Sequence, residues 1–404
     1  MSDGQPIIAE HRIAGPTPLP LHLALAGHAL QQGVALAPLA EHYGLSESAP
    51  MQGAVLISAL EQLSSMFNGI ETWRRAPYRR SVERPPAIWS EGSSHLLDYG
   101  ATPEAANPNG PPILVIPSMI NRAYVLDLMP ETSLLRSLAA AGYRPLLLDW
   151  GQPTPREQEL TLEDMIAARL RPALAIARVL GGGPVPVLGY CMGGTLAAAL
   201  AANAAQDVRA VITIGTPWDF EKRIWVTERI ADALKPDGGL SLRYSLRGMG
   251  FALGAIPDVV FQSLFAQLDP TGTLRKFARF SEGCDTETDA KHFVAVEDWL
   301  NDGPPVPTSI AETVLVDWHL LNTTGSGLWS ALGRRVDPAA ISQPSLCFCS
   351  PNDRIAPPGS AEALAGLIPN AEVLRPNLGH VGMVVSRRSK ASVVDPIIGF
   401  LKKL

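Results

Sequence analysis

The stretch that most constrains this chain is residues 184–202, PVPVLGYCMGGTLAAALAA. A short apolar run leads into Gly189-Tyr190-Cys191-Met192-Gly193-Gly194, and an alanine- and leucine-rich helix former follows. The pattern is strand, sharp turn, helix, with one reactive side chain at the turn. Glycines flank that side chain because such a turn holds it in a strained backbone conformation with its neighbours tightly packed. A Cβ at Gly189 or Gly193 would clash with the adjoining strand or helix. The sulfur of Cys191 sits at the first turn of the helix, where the positive end of the helix dipole faces it. The plain alternative is a buried structural cysteine beside an ordinary glycine-rich connection. Residues found downstream decide between the two.

The turn has the shape of a nucleophile elbow, the G-x-S-x-G pattern of the α/β-hydrolases, with cysteine in the serine position. The surrounding chain agrees. From about residue 86 short apolar segments alternate with helix patterns: a hairpin at 88–99, a loop at 101–110, strands at 113–116 and 145–150, helices at 132–141 and 160–180. After the elbow helix, to about 205, comes a strand at 210–215. Such alternation implies a mostly parallel sheet covered on both faces. Past Gly215-Thr216-Pro217-Trp218 it stops. Residues 219–338 are helical in pattern, rich in aromatics, without a clear strand, and too long for a loop. They read as a cap over the site. Sheet signals resume at 345–350, followed by a helix at 360–367, a strand at 372–375 and a terminal helix from about Ala391.

The expected architecture is therefore an α/β-hydrolase fold with a core of 86–218 and 339–404, a cap of 219–338 and an N-terminal helical extension of 1–85. Within the extension, residues 52–72 place Val55, Leu56, Leu60, Leu63 and Phe67 near helical spacing. This predicts an amphipathic helix packed on the main body, with a partner surface as the other reading. Arg74, Arg75, Arg79 and Arg80 read as a solvated basic face, with a docking site for a phosphorylated ligand as the weaker alternative.

Composition sets the outer bounds. Hydrophobic residues make up 46% of the 404, enough for a large core, and a net charge of −6 argues against a nucleic-acid surface. The four cysteines (Cys191, Cys284, Cys347, Cys349) show no framework spacing. Cys347 and Cys349 point the same way from one strand and read as core rather than metal ligands. The start of the chain lacks a basic segment ahead of an apolar one, and its most apolar part is broken by His22, His28 and Gln31-Gln32. Neither a signal peptide nor a membrane span is expected, so the location predicted is the cytoplasm, whose reducing conditions suit a catalytic thiol.

An elbow nucleophile needs partners in the order nucleophile, acid, histidine, each leaving the C-terminal end of a late strand. Asp353 follows the strand at 345–350 in S-P-N-D-R, and His380 lies between two glycines after the strand at 372–375. His380 would accept the Cys191 proton while Asp353 fixes its tautomer and stabilises the imidazolium. Asp353 as a plain turn former and His380 as a packed loop histidine are the bland readings. Three hits in the required order outweigh them. For an oxyanion hole, one backbone donor is expected at Met192. The other is expected in the loop after 113–116, from Ile120 or Met119. His319 is the strongest rival histidine and reads as packing. No cofactor or metal is called for.

With these residues assembled, the chain resembles the polyhydroxyalkanoate synthases, the short-chain kind above all, over about residues 85–404. The resemblance rests on ILVIPSMINRAYVLDL (113–128), PLLLDWG (145–151), GYCMGG (189–194), TPWDF (216–220), SPNDRIAPP (350–358) and LGHVGM (378–383). It implies an acyltransferase that polymerises hydroxyacyl-CoA into polyester and releases CoA. Cys191 would carry the acyl chain as a thioester, and His380 would activate the thiol. Asp353 would assist His380 or help deprotonate the attacking 3-hydroxyl. The resemblance also brings a polyester granule surface, and a homodimer or second synthase subunit, into view as partners. Two other classes compete. One is a cysteine hydrolase of thioesterase or dienelactone-hydrolase type. The other is a non-catalytic granule-surface protein using the 52–72 helix and the apolar cap.

Overall fold

The structure is a computed structural model that describes residues 12, 15–42, 51–222, 232 and 234–404. The parts of the expected extension and cap outside those ranges, and the side chains of Val55 and Leu56, lie outside the described residues. The chain divides into two compact units: residues 1–80 with 259–302, and residues 81–258 with 303–404. This differs from the extension, core and cap read from the sequence. The N-terminal helices share a unit with the middle of the expected cap, and the rest of the cap belongs with the sheet.

The first unit is helical. Helices Leu19–His42 and Met51–Arg75 pack with Gly272–Ser281 and Glu287–Leu300 around Met66, Ile70, Trp73, Leu274, Phe277 and Val294. The helix expected at 52–72 is present and Leu63 of its expected stripe packs against this core, but the rest of the inward face differs. Ala59, Met66, Ile70 and Trp73 are buried, whereas Leu60 and Phe67 are 57% and 50% exposed. Gly69 explains the rotation: a Cβ there would lie 1.9 Å from the Phe277 carbonyl oxygen. Two helix backbones touch only where a side chain is missing, so Gly69 must face the partner helix. Trp73 and Phe277 then meet edge to face, with ring centroids 5.8 Å apart.

Arg12 clasps this unit. It is fully buried, its Nε and Nη2 donate to Asp298 Oδ1 and Oδ2 at 2.7 and 2.5 Å, and Nη1 and Nη2 also reach the carbonyls of Trp73, Ala76 and Tyr78. Of the arginines read as a basic face, Arg74 and Arg75 both pair with Glu71.

The second unit is built on an eight-stranded sheet. Its strands are β1 (Ala87–Glu91), β2 (Ser94–Asp98), β3 (Pro112–Ile116), β4 (Arg144–Asp149), β5 (Val185–Tyr190), β6 (Val208–Ile214), β9 (Ser345–Phe348) and β10 (Ala371–Leu374). A separate two-residue ladder of β7 (Ser330–Ala331) and β8 (Arg334–Arg335), with an isolated Ile256–Val306 pairing, lies within the stretch read as strandless. The sheet order is β1-β2-β4-β3-β5-β6-β9-β10, antiparallel at the β1-β2-β4 edge and parallel from β4 onward. Every residue of β3 and β5 is buried, as expected for central strands covered on both faces. The chain passes β3, then β4 on one side, then β5 on the other. That reversal opens a crevice at the C-terminal ends of β3 and β5, the usual ligand position in open α/β sheets. Cys191 follows β5, and Asp353 and His380 follow the neighbouring late strands.

Among the described residues, no helix is long and apolar enough to cross a membrane.

Candidate active site

Cys191 connects β5 to the Met192–Asn203 helix with φ 54° and ψ −129°. A non-glycine residue in that region costs on the order of 1–3 kcal/mol and persists only where its surroundings hold it. Here they do. The Cys191 amide donates to the Ile214 carbonyl at 2.9 Å, and its carbonyl accepts from Gly194 N at 2.9 Å. The glycines are required by contact: a Cβ on Gly189 would sit 2.4 Å from the Gly193 oxygen, and one on Gly193 2.0 Å from the Ile116 oxygen. The second contact brings the elbow against the loop that leaves β3.

His380 Nδ1 lies 2.6 Å from Asp353 Oδ2. The other carboxylate oxygen, Oδ1, accepts from the amides of Ile355 and Ala356 at 2.8 Å each, so the loop after β9 sets the carboxylate's orientation. Ser350 ties this loop to the one carrying His380 by donating to the Leu378 carbonyl. The charge of Cys191 also acts on the His380 imidazole. The structure thus brings together the three residues singled out from sequence, at 8%, 3% and 7% exposure for Cys191, Asp353 and His380. Burial pushes the His380 pKa down. The charges of Asp353 and Cys191, and the hydrogen bond to Asp353, outweigh it and hold the imidazole at about 10.

Two neighbours escaped the sequence reading. Gly215, at φ +55°, passes so close that a Cβ would lie 3.0 Å from both Asp353 Oδ2 and His380 Nδ1. The readable signal was a glycine directly ending a strand. Tyr190 packs its ring 5.2 Å from that of His380, and its hydroxyl has no hydrogen-bond partner among the described residues. Burial, then the charges of Cys191 and Asp353, push the phenol well above its ordinary pKa, so it stays protonated.

Met192 opens its helix, so its amide has no intrahelical acceptor. The Ile120 amide donates to Ser118 Oγ at 3.2 Å. No acceptor among the described residues meets the Met119 amide, which makes Met119 the uncommitted one of the two donors left open by sequence. The His319 ring lies tilted against that of Phe220, with centroids 4.2 Å apart, and its Nδ1 is 2.8 Å from the Val314 carbonyl oxygen. Cys347 and Cys349 are buried, and burial pushes both thiols up, Cys349 to about 12. The TPWDF motif is anchored from behind. Trp218 N donates to Ser360 Oγ, Phe220 N donates to Asn322 Oδ1, and Trp218 meets Trp329 edge to face. Among the described residues no cluster of His, Cys, Asp and Glu could hold a metal ion.

Fold and site together define an α/β-hydrolase-fold protein with cysteine at the elbow, and the family model described as the α/β-hydrolase fold matches residues 111–233. The resemblance to the polyhydroxyalkanoate synthase family extends well beyond that segment. The chain is 30% identical over 315 residues, 76% of its length, to the poly(3-hydroxyalkanoate) polymerase subunit PhaC of Haloferax mediterranei. It is 28% identical over 317 residues to that of Haloarcula marismortui. With that of Allochromatium vinosum it shares 28% identity over 326 residues, 79% of this chain and 88% of the relative. The chain spans 62% and 65% of the length of the two haloarchaeal relatives.

Proposed function

We propose that the chain is a cysteine-dependent acyltransferase that joins 3-hydroxyacyl units from CoA thioesters into a polyester. Cys191 passes its proton to His380 and adds to the thioester carbonyl. The bond to the CoA sulfur breaks, His380 returns the proton to the departing CoA, and the acyl group remains as a thioester on Cys191. The 3-hydroxyl of a second unit then attacks this carbonyl. His380 takes the hydroxyl proton, the bond to Cys191 breaks, and the proton returns to the sulfur as the ester forms. The amides of Met192 and of Met119 or Ile120 would stabilise the oxyanion in both steps. The reaction as written uses no cofactor.

The observation that carries this reading is the buried Asp353–His380 hydrogen bond beside Cys191, which sits at a strained positive-φ elbow. Both oxygens of Asp353 are already engaged and the residue is buried, which supports its acting through His380 rather than directly on a substrate hydroxyl. Low exposure of the sulfur and imidazole favours transfer to an alcohol over loss to water. The names of the relatives supply the product class. On the same reading, a polyester granule surface and a homodimer or second synthase subunit would be its larger partners.

Intact-mass analysis after brief exposure to 3-hydroxybutyryl-CoA tests the proposal. A thioester adduct on Cys191 that grows by acyl units is expected. Cys191→Ala should give neither adduct nor CoA release while keeping its fold. Free hydroxy acid with no growing adduct and no polymer would overturn the polymerase reading in favour of a cysteine hydrolase.

A further inference from the structure

One cleft in the sheet-bearing unit is not used by the chemistry above. Met119, Trp150, Leu160, Met165 and Ile310 line it. Its position is informative because it begins at the loop leaving β3. Met119 is one of the two candidate oxyanion donors, and the Trp150 indole donates to the Pro117 carbonyl at 3.1 Å. On its other side the same loop touches the elbow through the Gly193–Ile116 contact. A thioester carbonyl held between Met192 and Met119 would therefore have this cleft beside it.

The walls are rigid before any ligand arrives. Pro304, Pro305 and Pro307 form one side, and Val306 between them is hydrogen-bonded both ways to Ile256 at 2.8 and 2.9 Å. The opposite side is fastened by Glu157, which accepts from the amides of Ser93 and Thr154, from the Thr154 hydroxyl and from Arg169. Burial opposes ionisation of Glu157, yet these donors outweigh it and hold its pKa at about 2. Its oxygens are thus already occupied, and its negative charge is unfavourable to the phosphates of CoA. What remains is an apolar surface suited to a hydrocarbon.

We infer that this cleft binds the alkyl substituent of the acyl group carried on Cys191 and so sets chain-length preference. The inference rests on the acyltransferase reading above and deepens it. Leu160, half-buried at the cleft, is the residue to vary, since substitutions there disturb the core least. Each methylene buried is worth roughly fourfold in kcat/KM. Leu160→Ala should raise the ratio of kcat/KM for 3-hydroxyhexanoyl-CoA over 3-hydroxybutyryl-CoA by about tenfold, and Leu160→Trp should lower it by a similar factor. Met165→Ala, on another part of the wall, should shift the ratio in the same direction as Leu160→Ala. Acylation of Cys191 is followed by intact mass in every variant. Acylation with a ratio that stays within about twofold of wild type in all three variants would overturn the inference while leaving the acyltransferase reading intact. Absence of any Cys191 adduct in the wild-type protein would instead remove the reading on which the inference stands.

Discussion

Replacing Asp353 by asparagine preserves shape while removing charge, and so isolates what the carboxylate does for His380. At about 1.4 kcal/mol per pH unit, lifting the imidazole from 6.5 to about 10 corresponds to about 5 kcal/mol in favour of the imidazolium, net of the burial that opposes it. Asp353 and Cys191 share that effect. If Asp353 supplies half or more, its loss should slow acylation of Cys191 by 3-hydroxybutyryl-CoA about 100- to 1,000-fold. Rapid-quench mass spectrometry reads this rate directly.

The same change has a signature in stability. Because the native pKa of His380 is raised, the folded chain holds the proton more tightly than the unfolded one. The stabilisation is whole below about pH 6.5 and is lost as pH rises through about 10. The difference in Tm between wild type and Asp353→Asn should therefore narrow across that window. NMR of the His380 ring should show its titration moving well down from about 10 in the variant, since burial then acts with less opposition. Acylation within threefold of wild type, with His380 titrating unchanged, would refute the reasoning.

Further outcomes follow from neighbouring contacts. Gly215→Ala introduces a Cβ against the Asp353–His380 bond at a positive φ, so a loss of about 1–3 kcal/mol in urea unfolding and at least tenfold slower acylation are expected. Tyr190→Phe keeps the ring beside His380 and removes a buried hydroxyl that has no partner. It should raise stability by about 1 kcal/mol, and a fall in Tm would show that the hydroxyl is engaged. Arg12→Ala removes the buried guanidinium partner of Asp298 in the helical unit and should cost about 3–5 kcal/mol, read as an earlier thermal transition.

Much of the site was legible in the chain because its logic is local and ordered. A positive-φ elbow needs glycines at Gly189 and Gly193. A nucleophile, an acid and a histidine that leave parallel strands of one sheet all start from the same C-terminal edge, and this holds without knowing a single distance. Alternating short apolar strands and helices carried the fold class in the same way.

What the sequence could not decide were choices between equivalent local patterns. The 51–75 helix carries two apolar stripes at helical spacing. The one through Leu60 and Phe67 is as good on paper as the one through Met66, Ile70 and Trp73, and Gly69 against Phe277 settles which turns inward. The same packing puts the N-terminal helices in one compact unit with residues 259–302, a pairing that no periodicity encodes. At the oxyanion loop, Ile120 and Met119 are interchangeable as letters, and only the position of the Ser118 hydroxyl engages one amide and leaves the other. The candidate reacting groups can be picked out from residue order, since backbone geometry constrains which strand ends can carry them. Which faces meet and which amides remain uncommitted depend on contacts between residues far apart in the chain, and those exist only in the folded protein.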